Sequence, residues 1–95
     1  MNIIEKIDRP KRDIPKSELR SVLRVVEMVF DQPAKDILGQ RRYERLVEAR
    51  QSAMAMLRAR GYTLESIAMA FKRRDHGTAL WAVQRVRDRL SWDKR

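Results

Sequence analysis

The sequence has 95 residues, 43% of them hydrophobic, so it can form one small domain with a modest core and is not wholly disordered. It has no cysteine and no run of about 18 apolar residues, which excludes disulfides, thiolate metal sites and membrane spans. Charged residues near the N-terminus leave no room for the apolar segment of a secretory signal, and we expect a cytoplasmic protein. The net charge of +9 is concentrated in residues 41–95, where fourteen Lys and Arg stand against six Asp and Glu. This distribution is typical of nucleic-acid binding, although an anionic lipid or an acidic protein would also fit it.

Residues 1–16 are predicted to form an extended arm in front of the domain. Pro10 and Pro15 stand among mixed charges, and proline disfavours helical geometry in the residue before it. Ile3, Ile4 and Ile7 follow an apolar spacing that indicates one helical turn docked on the domain, a frayed end, or the remnant of a hinge.

Residues 17–95 are predicted to fold as an all-α domain of about five helices. Ser17 is expected to cap the first helix, which ends near Asp31 because Pro33 cannot continue it. Its apolar residues follow helical spacing and predict one buried face: Leu19, Val22, Leu23, Val26, Val29 and Phe30.

Two further helices are predicted between the first helix and Gly61. A short one covers residues 33–38, and Gly39 closes it. Residues 40–45 form a basic loop or the frayed start of the next helix, which covers residues 46–60. Gly61 is the expected C-cap of that helix. Its apolar stripe includes Leu46, Val47, Ala53, Met54 and Leu57.

The chain is organised around residues 62–90, which read as two helices joined by a basic turn. Thr63 is the predicted N-cap of the first of these helices, and Asp75 is the predicted N-cap of the second. The apolar faces are Leu64, Ile67, Ala68 and Phe71 in the first and Leu80, Val83, Val86 and Leu90 in the second. This arrangement is a helix-turn-helix, whose second helix places its first residues against base edges in the DNA major groove. Those residues are Asp75, His76, Gly77 and Thr78.

The order of these motifs resembles the C-terminal DNA-binding domain of the DnaA family, the bacterial chromosomal replication initiators. The resemblance covers residues 17–90. It is carried by Arg41-Arg42 in the basic loop, by the pair Arg50-Gln51, by the spacing L-x-x-I-x-x-x-F over residues 64–71, and by R-D-H-G-T at residues 74–78. The resemblance implies one helical module that binds a short, asymmetric double-stranded site, the DnaA box.

The resemblance also implies roles for single residues. Arg42 matches the arginine that enters the minor groove. The base-reading positions of the major groove are Asp75, His76 and Thr78, and Gln51, Arg58 and Leu64 match positions near phosphate. Charge alone adds further phosphate candidates, which set register and salt dependence rather than sequence preference: Arg41, Arg50, Lys72, Arg73 and Arg74.

The sequence departs from the family pattern at four points. Tyr43 and Glu44 lie within the basic loop, where the charge of Glu44 opposes phosphate binding. Gly77 stands where the family usually has threonine, so one contact to a thymine methyl group is lost. Lys72 and Arg73 replace a small, Gly-rich turn. No G-x-x-x-x-G-K-[ST] loop occurs, so the family's ATPase domain is missing. The chain is therefore either a domain of a larger initiator or a stand-alone DnaA-like protein, and its own Met with the charged, proline-containing arm favours the second.

Several of these side chains also have simpler interpretations. Asp75 can cap its helix whether or not it accepts a hydrogen bond from cytosine. His76 could be a solvent-exposed residue at a helix start, and Thr78 could bond to backbone in the first turn. Arg41 and Arg42 could be a solvated charge pair. The sequence alone leaves these alternatives open.

The predicted function is sequence-specific binding of double-stranded DNA in replication initiation or its regulation, at the nucleoid and without enzymatic activity. One alternative is a DnaA-like transcription regulator that reads a different operator. Another is a basic module that docks on a protein of the replication machinery. No cofactor, metal or small-molecule substrate is expected, because the single histidine has no cysteine beside it and no phosphate loop is present.

Overall fold

The computed structural model describes residues 11–73 and 75–93, the last three of these as backbone. Within these ranges the chain forms five helices, which confirms the predicted all-α class: α1 (Lys16–Phe30), α2 (Ala34–Ile37), α3 (Glu44–Ala59), α4 (Leu64–Ala70) and α5 (His76–Asp93). No described helix is long and apolar enough to cross a bilayer. The predicted turn at Ile3, Ile4 and Ile7 lies outside the described residues, as does Arg74.

The first helix begins one residue before the predicted cap, so the assignment of Ser17 as N-cap is wrong. The extended Pro15 occupies the cap position, and its carbonyl accepts hydrogen bonds from the N–H groups of Glu18 and Leu19. Proline fits here because its fixed φ is compatible with a helix start. The predicted end is confirmed, because Asp31 adopts a left-handed conformation with φ 55° and stops the helix.

The basic loop shortens to residues 40–43, because α3 begins at Glu44 rather than Leu46. The carbonyl of Tyr43 accepts the hydrogen bond from the N–H of Val47 that closes the first turn. At the other end Gly61 has φ 99°, a conformation that glycine adopts without the steric cost of a Cβ. The C-cap position is occupied by Arg60, one residue before the predicted Gly61, and Gly61 follows it with its N–H donating to the Arg58 carbonyl.

Helix α3 lies at the centre of the fold and packs against each of the other four helices. The core is a single cluster of side chains from every helix, and its largest fully buried members are Tyr62, Phe71, Ile37, Leu46, Met54, Leu57 and Ile67. The predicted apolar face of α1 is confirmed at Val22, Leu23 and Val26, which are buried, but Val29 is exposed.

The face that α5 buries agrees with the predicted one at Val83 and differs from it at Leu80 and Leu90. Ala79, Ala82 and Val83 are buried, whereas Leu80 is 42% exposed and Leu90 is also exposed. The buried residues still follow the i, i+3, i+4 spacing of a helical face. Small side chains at two of these positions let α5 approach its neighbours α3 and α4 closely, and the leucines then point away from the contact.

The extended segment before α1 pairs with the chain at the start of the helix-turn-helix. Lys11 N–H donates to the Gly61 carbonyl at 2.9 Å, and Thr63 N–H donates to the Lys11 carbonyl at 2.9 Å. The Ser66 hydroxyl donates to the Arg12 carbonyl, and the Lys11 ammonium lies 5.4 Å from the centroid of the Tyr62 ring. These contacts tie residues 11 and 12 to the beginning of α4.

Candidate nucleic-acid interface

The helix-turn-helix begins with the cap that the sequence predicts. Thr63 is extended, and its Oγ1 accepts a hydrogen bond from the N–H of Ser66 at 3.1 Å. Ile67, Ala68 and Phe71 are buried against the rest of the fold. The short helix α4 is therefore anchored along one face and supports α5, against which it packs.

The turn between the two helices is set by a left-handed residue. Lys72 has φ 58°, its N–H donates to the Met69 carbonyl at 2.9 Å, and the N–H of Arg73 donates to the Ala68 carbonyl at 2.8 Å. These two bonds form a Schellman motif, which usually has glycine at the position that Lys72 occupies. Lys72 thus adopts a backbone conformation that is unfavourable for a residue with a Cβ, and its charged side chain is exposed.

The first turn of α5 presents its polar side chains to solvent. Asp75 Oδ1 accepts a hydrogen bond from the Gly77 N–H at 2.9 Å, so Asp75 caps the helix as predicted. Its side chain is nevertheless 78% exposed, and that of His76 is 59% exposed, with Nδ1 3.8 Å from Asp75 Oδ1. Thr78 is exposed as well. These three side chains therefore remain accessible to an approaching base edge.

Gly77 leaves a gap that the Asp75 carboxylate partly fills. A Cβ built at Gly77 would lie 3.2 Å and 3.3 Å from the two carboxylate oxygens of Asp75. These are the ends of a flexible side chain rather than backbone. A Cβ at this position would therefore require the carboxylate to move by a few tenths of an ångström.

A groove of about 560 Å³ joins the basic loop to the recognition helix α5. We call it the Arg42–Thr78 groove, and its lining comprises Gln40, Arg42, Val47, Arg50, Gln51, Met54, Arg73, Thr78, Trp81 and Ala82. Of the residues singled out in the sequence, it brings together the loop arginine, a base-reading candidate and three phosphate candidates, Arg50, Gln51 and Arg73. Arg58 and Leu64 do not line it.

Arg50, which the sequence predicts near phosphate, is engaged inside the fold. Only 5% of the surface of Arg50 is exposed to solvent. Nε donates to the Ile37 carbonyl at 2.7 Å, and Nη2 donates to the carbonyls of Asp36 and Arg41 at 3.0 Å. Burial, assisted by the charges of Arg73 and Arg42, lowers the pKa of Arg50. Its role is to hold the backbone that leads into the basic loop.

Two other phosphate candidates in the groove also make internal contacts. Arg73 is half-buried, and its guanidinium donates to the Phe71 carbonyl at 3.0 Å and to the Gly39 carbonyl at 3.4 Å. Gln51 accepts a hydrogen bond from Arg89 at 3.1 Å. These bonds connect the turn to Gly39, just before the basic loop, and connect α3 to α5. Several elements therefore fix the walls of the groove.

The remaining phosphate candidates lie on the surrounding surface. Arg41 is exposed beside Arg42, and only its carbonyl is engaged, by Arg50. Arg58 is half-buried and donates to the Tyr62 carbonyl at 3.0 Å, just before α4. Leu64 is half-buried at the first position of that helix.

One prominent residue of the groove is absent from the sequence-based predictions. Trp81 is 60% exposed although it is the largest side chain of α5 in the described range. It follows Thr78 by three residues and Gly77 by four, the two separations that place residues on one helical face. That spacing was a usable signal for including it.

Comparison with known proteins finds one family and several relatives. The family model described as the bacterial dnaA protein helix-turn-helix matches residues 19–86. The chromosomal replication initiator protein DnaA of Corynebacterium jeikeium (strain K411) is 36% identical over 75 residues, which cover 78% of this chain and 13% of the relative. The protein of that name from Aquifex aeolicus (strain VF5) is 36% identical over 78 residues, which cover 78% of this chain and 20% of the relative.

A third relative with the same name, from Buchnera aphidicola subsp. Cinara cedri (strain Cc), is 28% identical over 85 residues, which cover 88% of this chain and 19% of the relative. The chain thus spans at most a fifth of the length of these relatives. No solved structure matches it.

Proposed function

The chain belongs to the bacterial DnaA helix-turn-helix family, a DNA-binding module, and from this premise we propose that it recognises specific double-stranded sites of the DnaA-box type. The observation that carries the proposal is that Arg42 and Thr78 line one groove. A loop arginine and the start of a recognition helix can then engage two neighbouring DNA grooves from the same side. This is a geometry for sequence reading rather than for general attraction to charge.

The first turn of α5 enters the major groove in this proposal. An exposed carboxylate such as that of Asp75 can accept a hydrogen bond from cytosine N4 while its other oxygen caps the helix. His76 contacts a thymine methyl group or a phosphate. Thr78 offers both a methyl and a hydroxyl group to a base edge. Gly77 lets the helix backbone approach the bases without a side chain between them.

Arg42 enters the adjacent minor groove. A narrow, A·T-rich minor groove concentrates negative potential and attracts arginine. The three hydrogen bonds from Arg50 to carbonyls around the loop support this role, because they restrict the segment that carries Arg42.

One phosphate strand separates a minor groove from the neighbouring major groove. It would pass between Arg42 and the start of α5, where Gln51 and Arg73 line the groove. The exposed side chains of Arg41 and Lys72 extend the basic surface on either side. Arg58, Leu64 and Arg74 complete the proposed phosphate contacts. Such contacts fix the register of the protein on the duplex and carry most of the salt dependence.

The setting that we propose is replication initiation or its regulation, in the cytoplasm at the nucleoid. It rests on relatives named chromosomal replication initiator protein DnaA, to a small part of which this chain corresponds. Gly77 favours a second candidate, a transcription regulator of the same scaffold that reads a different operator, because a base contact of the family is changed there. A protein-docking module remains the alternative outside DNA binding.

Fluorescence anisotropy at near-physiological salt distinguishes these candidates. The purified chain is titrated with a DnaA-box duplex, with a scrambled duplex of equal composition, and with a random pool carried through selection. We expect preference for the box. Enrichment of another motif would support the regulator, and flat, salt-sensitive binding to every duplex would contradict specific recognition.

Variants locate the contacts within the same assay. His76→Ala and Thr78→Ala should each cost about 1–3 kcal/mol on the preferred site and relax its sequence preference. Arg42→Ala should weaken binding to sites with an A·T-rich minor-groove segment most. Arg24→Ala, on the exposed surface of α1, removes the same charge elsewhere and should leave the preference unchanged.

A further inference from the structure

Trp81 occupies an unusual position for a large aromatic side chain. It is 60% exposed on the recognition helix and lines the Arg42–Thr78 groove together with Thr78 and Arg73. Tryptophan is usually well buried, so an exposed indole inside a basic groove indicates a partner that supplies an apolar surface.

A second residue of α5 holds the indole in place. The guanidinium carbon of Arg85 lies 5.7 Å from the centroid of the Trp81 ring, within the range of a cation–π contact. Arg85 follows Trp81 by one helical turn and does not line the groove. The arginine therefore covers the ring from the C-terminal side and leaves the groove side of the ring open.

Gly77 lies one helical turn before Trp81 and carries no side chain. Helical side chains lean toward the N-terminus, so Trp81 leans toward the turn that contains Gly77, four residues before it. Gly77 contributes no side chain to this surface. The nearest atoms to a Cβ at Gly77 are those of the Asp75 carboxylate, so the indole stands one helical turn away from a position that offers no side chain of its own.

We propose that Trp81 is a specificity-determining residue that contacts the C5-methyl group of a thymine in the major groove. The thymine methyl is the apolar feature that bases present on their major-groove edge. An indole ring can pack against this methyl group, whereas a phosphate offers the indole no apolar surface. The inference rests on the proposed DNA binding and adds a contact from the second turn of α5, which compensates for the missing side chain at Gly77.

Removal of single methyl groups tests this contact directly. The probe is the duplex that the wild-type chain enriches most from a random pool, and each thymine is replaced in turn by deoxyuracil. At one position the wild type should lose about fourfold in affinity, the equivalent of roughly 0.8 kcal/mol for one buried methyl-sized group. Trp81→Ala should bind more weakly overall and be insensitive to deoxyuracil at that position.

Two controls separate the contact from general effects. Met28→Ala removes another exposed apolar side chain, on α1, and should keep the wild-type deoxyuracil profile. In a Trp92→Phe background Trp81 is the single tryptophan, and its emission should change when the selected duplex binds.

Each outcome has a distinct meaning. Identical deoxyuracil profiles for wild type and Trp81→Ala, or unchanged Trp81 emission on specific binding, would overturn the role of Trp81 and leave the proposed function intact. If no duplex is enriched from the pool, the proposed function fails, and the contact fails with it.

Discussion

Replacing Lys72 by glycine should stabilise the fold and weaken DNA binding at the same time. Lys72 has φ 58° in the turn between α4 and α5, a region that costs a side-chain-bearing residue about 1–2 kcal/mol. Glycine removes this cost but makes the unfolded chain more flexible, which offsets roughly 0.5–1 kcal/mol of the gain. The net increase in the free energy of unfolding should be about 0.5–1 kcal/mol, which corresponds to a rise in Tm of about 2–8 °C for a domain of this size.

Lys72→Ala is the matched control, because it removes the same charge and keeps a Cβ in the left-handed conformation. Both variants should bind all duplexes more weakly and lower the slope of log affinity against log salt by about one. Thermal and urea unfolding should separate them, with the glycine variant the more stable. A glycine variant no more stable than the alanine variant would refute the conformational argument, whatever the DNA affinities.

Three further perturbations test the support of the interface. Arg50→Ala should lower the free energy of unfolding by about 2–4 kcal/mol in urea, because it leaves carbonyls unpaired, and should weaken DNA binding through the loop that carries Arg42. Thr63→Ala should cost about 1 kcal/mol in thermal unfolding, since it removes an N-cap. Stability should also depend on pH through the hydrogen bond from the Tyr62 hydroxyl to Glu18. This bond and the nearby basic groups lower the pKa of Glu18 below its ordinary value of 4.5, so that contribution is lost as acid protonates the carboxylate. Burial and Glu18 raise the pKa of Tyr62 to about 12, so its contribution is complete below pH 10 and disappears as pH rises toward 12. Tyr62→Phe should flatten the alkaline part of the stability curve and weaken the acid part.

Three results with these variants would contradict the roles assigned to the side chains. An Arg50→Ala variant as stable as wild type would show that its hydrogen bonds contribute little to the loop. A Thr63→Ala variant with unchanged Tm would contradict the cap. An alkaline transition that survives Tyr62→Phe would assign that titration to another group.

Much of the fold could be predicted from local features of the sequence. Helical spacing identified α1, α3, α4 and α5, and Pro33 and Gly39 bracketed α2. The start of α4 after Thr63 follows from a side-chain oxygen that can reach a nearby N–H. The stop near Asp31 follows from Pro33, which cannot continue a helix, and the turn at Gly61 follows from a residue that adopts positive φ readily. These features depend on a few neighbouring residues, which the sequence shows directly.

The rest depended on which elements meet in space. In α5 both the leucine stripe and the alanine stripe satisfy helical spacing, and the close approach of α3 and α4 selects the face with Ala79 and Ala82. In the sequence Arg50 cannot be distinguished from the other basic residues, because the carbonyls of residues 36, 37 and 41 surround it only in the folded chain. The groove that joins Arg42 to Thr78 is likewise a product of tertiary packing.

Methylation interference on the selected duplex tests most directly whether one surface reads two neighbouring grooves. Dimethyl sulfate modifies guanine N7 in the major groove and adenine N3 in the minor groove, so one experiment reports on both. We predict interference at both kinds of site in adjacent grooves, with Arg42→Ala losing the minor-groove adenines and Thr78→Ala losing major-groove guanines. Interference confined to one groove, or a pattern unchanged by both substitutions, would contradict the account.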